Sequence, residues 1–494
     1  MNSLSVLFRK RFSLIVLAFL LAACIPQSAV DLMPVPPTLT PTTGPTPTPI
    51  PKRPEYDPGE LVDYMVQPGD TLPALAAHFN TSITEILAAN SQIPANSTTM
   101  PPGMPMKIPI YYLPFWGTPF QILPDSQFVN GPLASDFNTE AFVSSRPGWL
   151  KDYRTYAAGD NRSGADIVDI IATNYSISPR FLVALLEYQT GALSQPVPPS
   201  SSYPLGETNP NYAGLYMQLL WAANILNVGY YGWRSGQLTE FQHIDGALER
   251  PDPWQTAATV AFQYYISRIL SRDEYMRAVN AEGIARSYSD LFGDPWITEQ
   301  SAEPFIQVSL QQPNLALPFI PGETWSFTGG PHSGWGIAEL QPWAALDFAP
   351  PSTRKGCDSS DRPVTAMADG KVVRSQTGVV VEDLDGDGNE RTGWNILYLH
   401  IATPGRASVG RTLKKGDVIG YPSCEGGEAT GRHVHIARKF NGEWIPADSV
   451  IPFNLEGWVA HDGSAAYQGT LTRGNQTVTA CDCADAPSHI QAGR

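Results

Sequence analysis

Apolar positions along the chain change their period several times, and each change marks a new element. Phe12 to Ala23 is a predominantly apolar run of 12 residues behind Arg9, Lys10 and Arg11. It is shorter than the roughly 20 residues a membrane-crossing helix needs. A basic start followed by a short apolar core predicts an export signal over residues 1–23. Residues 34–54 then lose all hydrophobic periodicity in a run of Pro and Thr (PVPPTLTPTTGPTPTPIPKRP). Such a run stays extended and solvated, which predicts a tether over 24–60. Between 64 and 110 the pattern predicts strand, helix, helix, strand. Leu72, Leu75, Ala76 and Phe79 recur at helical spacing after Asp70 and Thr71, whose side chains suit a helix start. Thr84 is the expected start of the second helix, and MKIP the closing strand.

Residues 111–160 show no clear period and are read as a connector. Residues 161–305 predict helices, most clearly 176–194, where Phe181, Leu182, Leu185 and Leu186 line one face. Pro179 stands near that helix's start, where its missing N–H is not needed. After residue 306 strand-like runs return, such as Trp394 to His400. A polar tail with two cysteines is expected over 467–494.

Composition narrows the function. The net charge of −15 opposes binding to a phosphate backbone, so no nucleic-acid partner is expected. Charged residues are only 16% against 42% hydrophobic, enough apolar material for several cores in 494 residues. An exported chain can form disulfides. Of the five cysteines, Cys24 directly follows the signal. The other four (Cys357, Cys424, Cys481 and Cys483) allow three pairings, and a Cys357–Cys424 bond would pin two loops of the C-terminal domain.

Three segments resemble known families. Leu21-Ala22-Ala23-Cys24 looks like the lipobox of bacterial lipoproteins, which implies lipidation of Cys24 and anchoring to the membrane, facing the wall. Gly69-Asp70-Thr71-Leu72, Asn90 and Pro102-Gly103 to Ile108-Pro109 resemble the LysM module over 61–110. That resemblance implies a βααβ fold that binds the glycan of peptidoglycan through Gly69, Asp70, Thr71, Leu72 and the loop at Asn90. Pro73 departs from the large residue usual in that family. Residues 161–305 are distantly similar to the lysozyme-like lytic transglycosylases. Gln189 stands there in place of their catalytic Glu, and Gln cannot act as a carboxylic acid. A lysozyme-like but non-catalytic domain is expected.

The chemistry concentrates near the C-terminus. Four of the eight histidines lie within 332–435. His433 and His435 flank Val434, and on a strand residues i and i+2 share a face. Two imidazoles on one face, with a third His and an Asp, can hold a metal. Three protein ligands leave one tetrahedral position open, as a catalytic zinc requires. The segments GGPHSGWG and WAALDF, RPVTAMADGKVV, LYLH with LKKGDVIGY, and GRHVH resemble the M23 metallopeptidases of lysostaphin or LytM type. The 15-residue step from His332 to Asp347 resembles their staphylolysin-type branch. The resemblance implies an antiparallel β-rich domain over 306–466 with zinc on His332, Asp347 and His435. It implies His433 as general base, and His400 as oxyanion stabiliser or proton carrier. Arg432 stands where many members have Pro.

The expectation is a multidomain α+β chain, a zinc endopeptidase acting on peptidoglycan peptides or cross-bridges. The rival is a non-catalytic LytM-type regulator, but such proteins usually lose a ligand and none is lost here. Asp383, Asp385 and Asp387 resemble the start of a calcium loop. An EF-hand wants Glu at the twelfth position, where Trp394 stands, so the two readings are a calcium ion and a solvated acidic turn.

Overall fold

The structure is a computed structural model and describes residues 53–351, 356–358 and 360–493. Cys24, the export signal and the Pro/Thr run up to residue 52 lie outside the described residues. Among those described, no helix is long and apolar enough to cross a membrane.

The first domain is a βααβ unit. Strand β1 (Glu60–Met65) pairs antiparallel with β2 (Pro105–Ile110), from Glu60 opposite Ile110 to Met65 opposite Pro105. Helix α1 (Leu72–His78) is capped by the Thr71 side chain, which accepts from the Ala74 N–H. Helix α2 (Ile83–Ala89) starts one residue before Thr84, because Ser82 and Glu85 form a reciprocal capping box. Tyr64, Leu75, Phe79, Ile86 and Ile108 fill its core.

Asn90 departs from the expected glycan role. It is 2% exposed, and its amide is consumed by the fold. Its Nδ2 donates to the carbonyls of Ile86 and Lys107, and its Oδ1 accepts from the Lys107 N–H. The side chain pins α2 to β2.

The helical domain is built around α3 (Gly164–Tyr175), α4 (Pro179–Thr190), α5 (Leu215–Ser235) and α6 (Ala257–Ser267). Helix α4 has Pro179 in its first turn and ends at Gly191 in the left-handed region, as a C-cap requires. Residues 111–160 are not a loose connector. Ile122, Phe128, Val143, Trp149 and Leu150 are buried in the same core as the helices. Gln189 is held by that core too, its Oε1 accepting from the Tyr265 hydroxyl at 2.7 Å.

The C-terminal domain is built on one large antiparallel sheet. Its strands are β3 (Thr324–Ser333), β4 (Trp343–Ala349), β5 (Gly370–Gln376), β6 (Gly378–Asp383), β7 (Trp394–Ile401), β8 (Thr412–Leu413), β9 (Val434–Phe440) and β10 (Glu443–Trp444). The order is β8-β5-β6-β7-β9-β4-β3, with β10 turning back onto β9. Alternation gives the sheet two different faces. Leu346, Phe348, Val380, Ile396, Tyr398, Val434 and Ile436 face the domain's own core. Ala345, Val379, Val381, Leu397, Leu399 and Ala437 face the helical domain and share its core. This second face carries His435 and Asp347, since they are in step with Ala437 and Ala345.

The expected polar tail over 467–494 is instead folded. Strands β11 (Trp458–Asp462), β12 (Gly469–Arg473) and β13 (Gln476–Thr479) pair in sequence, and β14 (His489–Gln491) adds to the edge of β3. Leu471, Val478 and Ile490 are buried, so each short strand spends one apolar residue on the core. Cys481 and Cys483 are bonded to each other, and Cys357 to Cys424 with Cα atoms 5.5 Å apart.

Replacing Asn90 with Ala leaves the Lys107 backbone groups buried without partners. A loss of about 1–3 kcal/mol in stability is expected, read by urea unfolding. An unchanged midpoint would show that water replaces the amide.

Candidate metal centre

Three strands deliver three side chains to one point. In register, His435 on β9 lies opposite Asp347 on β4, and Asp347 in turn lies opposite Gly329 on β3. The β3 register shifts between Gly329 and His332, so the strand bulges and brings His332 to the same side. His332, Asp347 and His435 are 2%, 5% and 6% exposed. His332 Nε2 is 3.0 Å from His435 Nδ1. Asp347 Oδ1 is 3.4 Å from the first and 3.3 Å from the second.

The outer nitrogens fix which atoms face inward. His332 Nδ1–H donates to the Gly330 carbonyl at 2.8 Å. His435 Nε2–H donates to the Gly334 carbonyl at 3.2 Å. In the neutral rings this leaves His332 Nε2 and His435 Nδ1 as bare lone pairs. Asp347 Oδ1 is buried and has no hydrogen-bond donor. Three electron-rich atoms therefore converge with no proton between them, an arrangement that repels itself unless a cation sits inside. Bonds of about 2.0–2.1 Å in a tetrahedron put ligand atoms roughly 3.4 Å apart, and the observed spacing matches that. The residues fit a metal ion.

Burial favours the neutral form of every member, and the neighbours then decide. For Asp347, burial pushes the carboxyl up, but the His332 and His433 rings outweigh it and hold it well below the usual range. For His332, burial pulls the ring down and Asp347 more than restores it, so it ends above its ordinary value. His435 ends below, with burial the main cause.

Two more histidines complete the site. His433 Nε2 lies 3.6 Å from Asp347 Oδ2, and its Nδ1–H donates to the Gly431 carbonyl at 2.8 Å. The His400 ring centre is 4.5 Å from that of His433. His400, next to last in β7, is the residue skipped at a register shift and has φ of 64°, in the left-handed region. The bulge turns its side chain out of the strand's alternation, a strain found at functional sites. The loop beside Cys424 holds it from two sides. The Ser423 N–H donates to the His400 carbonyl at 2.7 Å, and His400 Nδ1–H donates to the Glu425 carbonyl at 2.9 Å. Burial and the neighbouring His433 and His435 lower its pKa to about 3, so it is neutral.

Sequence reasoning missed two supports. Tyr467, inside the expected tail, stacks on His332 with ring centres 4.2 Å apart. No local pattern marks it. Gly329 passes so close to Asp347 that a Cβ would lie 2.6 Å from Oδ2. Paired glycines just before a histidine were the available signal. The insert between His332 and Asp347 is also built in: the Asn224 Oδ1 of α5 accepts from the Ile337 N–H at 3.1 Å.

The other expected sites differ. Asp383, Asp385 and Asp387 do come together. Asp383 Oδ1 accepts from the N–H groups of Asp385 and Gly386, and Oδ2 from that of Gly388. These contacts are those of a self-capped turn and lend calcium no support. Gly69, Asp70 and Thr71 form the turn before α1, and Leu72 is the helix's first residue. Asp70 Oδ2 is taken up by the Tyr64 hydroxyl and the Gln67 N–H, both at 2.7 Å.

The Gly329→Ala variant is expected to lose tenfold or more in metal affinity by displacing Asp347, on the scale of supporting-residue changes at metal sites. Competition with a coloured chelator reads this. Unchanged affinity would mean that Asp347 is not a ligand.

Residues 121–305 match the family described as LasA, N-terminal domain, and residues 64–109 match the LysM domain. The helical region, expected to be lysozyme-like, thus has its likeness in LasA, and the match takes in most of the former connector. Protease LasA of Pseudomonas aeruginosa is 26% identical over 388 residues in strain PAO1, spanning 74% of this chain and 84% of that protein. The strain UCBPP-PA14 protein is 26% identical over 389 residues, with the same coverage. Among solved structures, the M23 metalloprotease pseudoalterin covers 34% of this chain and 96% of its own at 23% identity, with a TM-score of 0.29. The chain is thus similar to protease LasA over most of its length, with a LysM domain match preceding the match to the LasA N-terminal domain.

Proposed function

We propose that the chain is a zinc-dependent endopeptidase that hydrolyses amide bonds in the peptides or cross-bridges of peptidoglycan. His332, Asp347 and His435 are the zinc ligands. The observation that carries this reading is the set of three buried acceptor atoms within 3.4 Å of one another. A His2Asp set with three protein ligands suits a catalytic zinc, which keeps one position for substrate or water. When bound, the ion supplies Lewis acidity to the scissile carbonyl and makes a water more acidic.

The remaining chemistry belongs to the chain. His433 holds its Nδ1 proton on the Gly431 carbonyl, so Nε2 is free to accept a proton from the attacking water. The water oxygen joins the carbonyl carbon, and His433 returns the proton to the departing amine. His400 likewise keeps its proton on Nδ1, at the Glu425 carbonyl. Its Nε2 is then an acceptor, which favours proton transfer over donation to an oxyanion. Tyr467 and the backbone carbonyls keep the rings from turning.

The LysM domain supports the wall as substrate, through glycan contact by the loop Gly69–Leu72. Lipidation at Cys24 would hold the exported chain on the cell membrane, facing the wall, and raise the local concentration of enzyme and substrate. Gly-containing bonds are the expected preference, by likeness to the staphylolysin-type branch.

The test is wall digestion by the purified chain, with released peptides identified by mass spectrometry. About one zinc per chain is expected, with cleavage lost on chelation and restored by zinc. His435→Ala should lose both metal and activity. His433→Ala should keep the metal and lose roughly 10²–10⁴-fold in kcat. Bound zinc with no new peptide termini from any wall would sink the endopeptidase reading.

A further inference from the structure

The LysM domain is clasped by the rest of the chain on the face that its glycan reading needs. Arg234, at the end of α5, donates from one NH group to the Pro68 carbonyl at 2.7 Å. The Arg234 guanidinium also pairs with Glu443 of β10 at 2.8 Å and lies 3.8 Å from Asp125. All three of these charged side chains are nearly buried, at 12%, 7% and 5% exposure. Gly69 has no room for a side chain, since a Cβ there would lie 2.0 Å from the guanidinium. Next to it, His78 of α1 stacks on Trp233 with ring centres 3.5 Å apart and planes 7° from parallel. Its Nε2–H donates to the Trp233 carbonyl at 2.9 Å.

A second contact closes the other loop. The Thr99 hydroxyl donates to the Gln307 carbonyl at 2.7 Å and accepts from the Leu310 N–H at 3.0 Å. The Thr98 hydroxyl donates to the Leu310 carbonyl at 2.8 Å. Thus the loop before α1 and the loop after α2 are both occupied, one by the end of α5 and one by the segment 307–310.

We propose that wall glycan and the helical domain compete for this one face of the LysM domain, so that the chain binds glycan only when the clasp opens. The inference rests on the glycan role proposed above for the LysM loops. Its ligand is an oligosaccharide of N-acetylglucosamine, and its rival is the Trp233–Gly236 end of α5. Competition costs apparent affinity in proportion to the small fraction of open chains.

Gly236 offers a clean way to open the clasp from the helical side. It caps α5 with φ of 75°, and a Cβ there would lie 2.9 Å from the Ala77 Cβ. Asn tolerates that backbone conformation, so Gly236→Asn keeps the cap and pushes α1 away. Arg234→Gln serves as a second variant that removes the guanidinium. The probe is the N-acetylglucosamine pentasaccharide, titrated into the full chain by calorimetry, with amide hydrogen exchange on the same samples. Both variants should bind on the order of tenfold tighter than the unmodified chain. In the unmodified chain, saturating pentasaccharide should protect 67–72 and speed exchange at 232–238. Equal affinity in all three, with 232–238 unchanged by the sugar, would overturn the competition while keeping the glycan role. Fast exchange at 67–72 in Gly236→Asn, without any binding, would remove the glycan role itself and the inference with it.

Discussion

The C-terminal domain is organised around a buried carboxylate oxygen that no hydrogen-bond donor reaches. Asp347 Oδ1 faces two imidazole nitrogens whose own protons are turned outward. Such a cluster is unstable by itself, and the fold must hold it open against its own repulsion. Rigidity comes from backbone carbonyls rather than from other side chains. Gly330, Gly334, Gly431 and Glu425 each accept the outer proton of one histidine. Carbonyls of strands and tied loops move little, so each ring has one tautomer and one orientation. The chemistry of the site follows from that choice. Bare nitrogens on His332 and His435 suit a cation, and bare nitrogens on His433 and His400 suit a proton.

How much of this was legible in the sequence depended on whether the cause was local. His433 and His435 were placed together by strand alternation alone. His332 and Asp347 needed the family resemblance, because a register shift in β3 separates them from any simple period. The LysM elements were legible because capping residues and helical spacing lie within a few positions, although Ser82 took the cap in place of Thr84. The chain from 467 onward was misread for the opposite reason. Each of its strands buries about one apolar residue, too few to make a period, and the last of them pairs with a strand distant in sequence. Tyr467 on His332 is a contact across 135 positions of this kind. The burial of 111–160 and the self-consumed amide of Asn90 are likewise tertiary facts.

The LysM junction shows the same limit from another side. Motif residues such as Gly69 carry two physical readings at once. A glycine in a loop before a helix lets a ligand approach closely, and here the approaching group is the Arg234 guanidinium of the same chain. The motif alone cannot distinguish a sugar from a neighbouring domain, since both use the space a missing side chain leaves.

The junction and the metal centre also share a piece of backbone. Glu443, which takes the Arg234 charge, lies on β10, and β10 is the return of the strand that carries His435. The adjacent Trp444 has its N–H held by the Tyr231 hydroxyl at 3.0 Å. The Trp444 ring packs so closely on Gly334 that a Cβ there would lie 2.9 Å from it. Gly334 is the residue whose carbonyl orients His435. The helical domain therefore braces the β9–β10 hairpin at both of its β10 residues, by charge at one and by hydrogen bond at the other. Removing the Arg234 charge would leave Glu443 and Asp125 buried without their cation, and the hairpin would have to shift to rehydrate them. Any such shift reaches the ring of His435 through two contacts. The clasp on the LysM domain and the geometry of the candidate metal centre are in this sense fastened by one side chain.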